Sequence, residues 1–153
     1  MWRMKAATRL HAPLFLLLLL AGEPVAAAAA LQVHDAWIEE GPPGMTVLAG
    51  YLDIENRGDT VVQISGIRSD AAGQIEIHRT ELHDGTASMV ELATLSLPPH
   101  TRLKFRQGGY HLMLMGLRGP LKAGDKVDLQ LRLGDGRNEG VAAEVRRGDA
   151  EPM

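Results

Sequence analysis

Beyond residue 30 the apolar positions fall in short alternating runs, and no stretch sustains a helical period. The runs predict strands over 32–39, 46–56, 61–68, 74–82, 87–97, 101–106, 110–117, 126–133 and 140–147. Turn-forming residues separate them, among them Gly41-Pro42-Pro43-Gly44, Asn56-Arg57-Gly58-Asp59, Asp84-Gly85, Pro98-Pro99, Gly108-Gly109 and Gly134-Asp135-Gly136. About nine short strands at this spacing predict an all-β domain, an antiparallel sandwich or barrel.

Alternation also assigns faces, because successive strand side chains point to opposite sides. In Gln74-Ile75-Glu76-Ile77-His78 the two Ile share one face, and Glu76 and His78 share the other. In His111-Leu112-Met113-Leu114-Met115 the two Leu oppose His111, Met113 and Met115. The Ile and Leu sets are the natural core faces, which leaves His78, His111 and Met113 on outer faces. Asp84-Gly85 suits a two-residue hairpin turn, since both positions tolerate positive φ. A hairpin closed there sets His83 against Thr86 and His78 against Glu91. Met89 then becomes a diagonal neighbour of His78, about 7–8 Å away at the backbone.

The first thirty residues read differently. Arg3, Lys5 and Arg9 precede a short apolar run, Leu14 to Leu20, and Ala26 to Ala30 offer small-residue cleavage sites. That is the layout of a secretory signal peptide, with an uncleaved N-terminal anchor as the competing reading. A membrane span needs roughly 18 or more apolar residues, and Glu23 and Pro24 interrupt this run well short of that. The expected organisation is a signal peptide over 1–30, one domain over 31–147 and a polar tail over 148–153, with no membrane span in the mature chain. Export of this kind predicts a periplasmic protein.

Without residues 1–30 the chain carries 13 basic against 18 acidic residues, a net charge of −5. That balance, with few aromatics on which bases could stack, argues against a nucleic-acid partner. There is no cysteine, which excludes disulfides, thiol nucleophiles and thiolate metal sites together. Any metal must be held by His, Met or carboxylate. No nucleophile–base pair stands out, so enzymatic activity is not expected.

His78, Met89, His111 and Met113 form the candidate ligand set for one metal ion per chain. His111 and Met113, two apart on a strand, project from one face about 7 Å apart. How this half meets His78 and Met89 depends on the fold. Thioethers suit Cu(I) and match Zn²⁺, Mg²⁺ or Ca²⁺ poorly, and a neutral His₂Met₂ set suits a monovalent d¹⁰ ion. Met115 shares the face of Met113 but reads as packing, and Trp37 reads as core. Glu76 reads as a solvated acid, with a hydrogen bond to His78 as the alternative. His83 reads as a solvated residue near enough to be a spare donor, and His100 as loop surface; a cut after Ala30 puts His34 at mature position four, which discounts it as an N-terminal Cu(II) ligand.

These residues carry a family resemblance. His78, ten intervening residues, Met89, twenty-one more and then His111-Leu112-Met113 reproduce the spacing of the periplasmic PCuAC copper chaperones. Ile75-Glu76-Ile77-His78-Arg79-Thr80, Gly109-Tyr110-His111-Leu112-Met113-Leu114-Met115-Gly116-Leu117 and Leu121-Lys122-Ala123-Gly124-Asp125 are similar to that family's text, as are Ala36-Trp37 and Ala49 to Asn56. The resemblance spans roughly residues 32–135. It implies a cupredoxin-like fold, Cu(I) bound at an exposed site, and a copper-donating or copper-accepting partner in the periplasm or membrane. Cytochrome c oxidase or its assembly factors are the partner the family suggests. Copper storage or resistance, or an interaction module with a vestigial site, are the competing functions. The chain departs from the family at Ile38-Glu39-Glu40, where a basic residue is common. It also lacks the His/Met-rich tail of some members, keeping only Met153.

Overall fold

The computed structural model describes residues 30–148, so all but the last residue of the expected signal peptide and all but the first residue of the expected tail lie outside the described residues. Ten strands are present among the described residues: β1 (Leu31–Glu39), β2 (Val47–Asn56), β3 (Val62–Arg68), β4 (Ala72–His83), β5 (Thr86–Glu91), β6 (Leu95–Leu97), β7 (Thr101–Lys104), β8 (Tyr110–Leu117), β9 (Lys126–Leu133) and β10 (Asn138–Arg146). Seven of them run β4-β8-β2-β1-β10-β9-β3 and close through the pair Ile67↔Ile75 into a barrel. The others are appended to its wall, β5 on β4, β6 on β3 and β7 on β2.

The predicted strand over 87–97 is two strands. Thr86–Glu91 stays on β4, whereas Leu95–Leu97 crosses to β3 and pairs through Val62↔Leu97 and Ile64↔Leu95. Burial explains the split: every β5 residue is exposed, whereas Leu95 and Leu97 are buried. The expected antiparallel pattern has one departure, since β1 and β10 run parallel, with Trp37↔Glu144 to Glu39↔Arg146 in register.

The period-two pattern builds the interior. On β9, Val127, Leu129, Leu131 and Leu133 are buried and the residues between them exposed. Ile75 and Ile77 on β4 and Leu112 and Leu114 on β8 point into the same core, as alternation predicts. Their partners on those strands therefore face outward together.

The β2–β3 connection is tied by Asn56, which is fully buried. Its Nδ2 donates to the carbonyls of Thr60, Leu97 and Pro98 at 2.8, 3.0 and 3.0 Å, and its Oδ1 accepts from Gly58 N at 3.0 Å. One amide thus joins the turn after β2 to the end of β6. At the β4–β5 hairpin Asp84 and Gly85 both have positive φ, 50° and 79°. These values suit the tight primed turn that matches strand twist.

Candidate metal centre

The β4–β5 hairpin has the register expected from its turn, with His83↔Thr86, Thr80↔Met89 and His78↔Glu91 in line. Met89 is therefore one row from His78 on the same face. On the other side of β4 the register with β8 runs His78↔His111, Glu76↔Met113 and Gln74↔Met115. The two halves of the candidate set are thus direct neighbours in one sheet. His78 and His111 are cross-strand partners with ring centroids 5.7 Å apart. Periodicity alone does not give this pairing, because β4 and β8 are separated in sequence by β5, β6 and β7.

The outward face is not uniformly open. Met89 is 63% exposed, whereas His111 is only 5% exposed, so the expectation of an accessible His111 is corrected. Strand position is the cause: β8 lies between β4 and β2, whereas β5 is an edge strand with one neighbour. His78, Glu76 and Met113 are half-buried between these extremes.

Each imidazole is held through one nitrogen, leaving the other bare. His111 Nδ1 lies 3.0 Å from the carbonyl of Gly109, which can only accept, so Nδ1 carries the proton. The same carbonyl accepts Thr80 N–H at 3.1 Å, tying the turn before β8 to β4. His78 Nε2 donates to Glu76 Oε2 at 2.7 Å. The remaining nitrogens, His78 Nδ1 and His111 Nε2, are both buried and without a partner. A buried polar atom left unpaired is costly and uncommon, and such an atom calls for an explanation. Two of them, on paired residues of one face with Met89 and Met113 each one row away in register, fit a soft cation. Among the described residues, no group of three or more His, Asp or Glu converges as a metal-holding cluster, so harder donors offer no competing site there.

Glu76 is not the solvated acid expected. Its side chain is 18% exposed, Oε2 engages His78, and Oε1 accepts from Gln74 Nε2 at 2.7 Å. The i, i+2 spacing of Glu76 and His78 was visible in the sequence; the burial that makes the contact matter was not. The remaining candidates fall as expected or close to it. Met115 is half-buried opposite Gln74 and Val47. His83 is exposed and hydrogen-bonded to Glu81 at 3.1 Å, and His100 is exposed beside Asp59 at 2.9 Å. His34 lies 3.7 Å from Glu55. Trp37 packs against the core with its ring 4.6 Å from that of Tyr51.

Behind the centre, on the opposite face of β4, Arg79 lies over the Tyr110 ring and pairs with Glu81. Hydrogen bonds from Arg79, and then from His83, hold the Glu81 carboxyl below its ordinary range. The segment from Glu76 to Glu91 carries Glu76, Glu81, Asp84 and Glu91 against Arg79 alone, a net acidic stretch of chain. A cleft of about 880 Å³ lies elsewhere, along Ile67 to Ile75 with Arg118 and Lys126, and no His or Met lines it.

A barrel of this topology has known counterparts. The solution structure of CuI-DR1885 from Deinococcus radiodurans is 33% identical, with a TM-score of 0.64 over 81% of this chain and 85% of that one. The copper-bound PCuAC domain from PmoF2 superposes with a TM-score of 0.67, covering 79% of this chain and 96% of that domain at 18% identity. The fold is therefore that of the PCuAC domains, a cupredoxin-like β fold. The family model for putative LpqE-like lipoproteins matches residues 31–145, and the chain belongs to that PCuAC-like family. The putative lipoprotein Lxx21020 of Leifsonia xyli subsp. xyli is 36% identical over 117 residues, 76% of this chain and 69% of that protein.

Proposed function

We propose that this protein is an exported Cu(I) chaperone that holds one copper ion between His78, Met89, His111 and Met113 and passes it to a partner. The observation that carries this reading is the pair of buried, unpartnered nitrogens, His78 Nδ1 and His111 Nε2, on facing residues of β4 and β8. Two imidazoles and two thioethers form a neutral, soft donor set, which favours Cu(I) over harder divalent ions. The similar CuI-DR1885 from Deinococcus radiodurans supports the same metal.

The uneven exposure of the centre suits carriage. His111 and His78 are anchored by hydrogen bonds, whereas Met89 stands 63% exposed on an edge strand. An acceptor ligand can replace the exposed thioether first while the imidazoles still hold the ion, so copper leaves by stepwise ligand exchange. Nothing in this sequence of steps requires a catalytic group. Delivery toward cytochrome c oxidase assembly is the destination that the PCuAC resemblance supplies.

Export is supported by the N-terminal pattern of Arg3, Lys5, Arg9 and Leu14 to Leu20, and by the putative lipoprotein relatives. These 153 residues contain no cysteine, so a cysteine-linked lipid has no attachment point within them. Among the described residues, no helix is long and apolar enough to cross a membrane. The reading that results is a periplasmic protein released by cleavage near Ala30.

The deciding experiment is anaerobic titration of the protein with Cu(I) against a competing chelator, followed by X-ray absorption. One tight equivalent with mixed nitrogen and sulfur coordination, lost in a folded His111→Ala variant, is the expected result. No competition with the chelator, or binding unchanged in that variant, would leave an interaction module with an inactive site.

A further inference from the structure

Glu76 and Gln74 lie outside the ligand set, yet the structure connects them to it. Gln74 Nε2 donates to Glu76 Oε1 and His78 Nε2 donates to Glu76 Oε2, each at 2.7 Å. The three residues alternate along one face of β4, so the ladder runs with the strand and needs no loop to hold it. Across the sheet, Gln74 faces Met115, Glu76 faces Met113 and His78 faces His111. Glu76 is therefore in the row of one proposed ligand and hydrogen-bonded to another.

From this arrangement we infer that Glu76, steadied by Gln74, is a positioning residue that selects Nδ1 of His78 as the copper-binding atom. The inference rests on the chaperone reading above. A neutral imidazole has one protonated and one bare nitrogen, and the hydrogen bond made by one fixes which is left for the metal. Glu76 as a carboxylate is an acceptor only, so the proton sits on Nε2 and the lone pair on the buried Nδ1. His111 is set the opposite way, because the Gly109 carbonyl holds its Nδ1 proton and leaves Nε2 bare.

The two imidazoles are consequently unequal. His78 is backed by an anion, which strengthens it as a donor and offsets the positive charge of the ion, whereas His111 is backed by a neutral carbonyl. Glu76 also supplies the negative charge that the four ligands lack, without entering the coordination sphere.

The test uses nitrogen-15 NMR of the apo-protein together with Cu(I) competition, in wild type, Glu76→Gln, Glu76→Leu and Gln74→Leu. The wild type should show His78 with Nε2 protonated and Nδ1 bare. Glu76→Leu should release His78 into a mixture of tautomers, leave His111 unchanged as the internal control, and weaken Cu(I) binding by about 10–100-fold. Glu76→Gln keeps an acceptor oxygen and removes the charge, so it should retain the tautomer and fall between the two in affinity. Gln74→Leu should give a smaller loss than Glu76→Leu. An unchanged His78 tautomer in Glu76→Leu, or wild-type affinity in that variant, overturns the assignment. If Glu76→Leu does not fold, wild-type affinity in both Glu76→Gln and Gln74→Leu does so instead. A wild-type protein that takes up no Cu(I) removes the chaperone reading, and the NMR arm still decides whether Glu76 sets the tautomer.

Discussion

At the scale of single residues, exposure separates the two thioethers. Met89 is 63% exposed on β5 and Met113 half-buried on β8. Met89→Ala removes little packing, so its effect on stability should stay within about 0.5 kcal/mol. Met113→Ala should cost about 1–2 kcal/mol, and both variants should bind Cu(I) at least tenfold more weakly while remaining folded. Chelator competition beside urea unfolding checks this, and an unaltered affinity in either variant removes that Met from the set. Mild peroxide should oxidise Met89 before Met113, and bound Cu(I) should protect both, as mass spectrometry of digests can follow. Tyr51 makes a residue-level prediction of another kind. Burial first, and then Glu39, raise its pKa above the ordinary value of 10.0. The unfolded chain therefore loses this proton before the folded one, and stability falls as pH rises from about 10 toward the raised value. Unfolding curves on either side of that pH, in wild type and Tyr51→Phe, should show the alkaline loss reduced in the variant.

At the scale of elements, legibility followed burial. β9 and the inner faces of β4 and β8 could be read because one side of each is buried and the other is wet. The β4–β5 register was readable because Asp84-Gly85 fixes it locally. The segment 87–97 reads as one strand because an edge strand that is exposed throughout carries no burial signal to mark its end. Asn56 is a second instance: the sequence marks it as a turn residue, but not as the buried amide that serves Thr60, Leu97 and Pro98 at once. Asn56→Ala leaves those carbonyls short of a donor and should cost about 2–4 kcal/mol. The urea midpoint should drop with little change in slope. Cu(I) affinity of the folded variant should not move, because none of the bonds Asn56 makes reaches β4, β5 or β8.

For the whole molecule, what the pattern of apolar positions leaves open is which strands meet. Period two says which side of β4 and β8 faces inward and nothing about β4 lying beside β8. The parallel pairing of β1 with β10 is equally silent, since it joins the two ends of the domain. The spacing of His78, Met89, His111 and Met113 left that adjacency to the fold, and it is the β4–β8 register, with His78↔His111 in line, that supplies it. On the proposed ligand set, copper would link three strands that the chain contributes at different points: edge β5, β4 and central β8. The β5 edge has only the β4 ladder and exposed side chains to hold it, so it should be the most easily opened of the three. A ligand that binds only the folded arrangement stabilises it by mass action, about 2.7 kcal/mol at a free concentration one hundred times Kd. Cu(I) should therefore raise the unfolding midpoint in a concentration-dependent way and slow amide exchange most strongly in β5, through Met89. In Met89→Ala the rise in midpoint should shrink and the protection of β5 should vanish, while β4 and β8 remain protected by the histidine pair. Equal protection of β5 in wild type and variant would mean that Met89 does not close the site, and that copper is held by His78, His111 and Met113 alone.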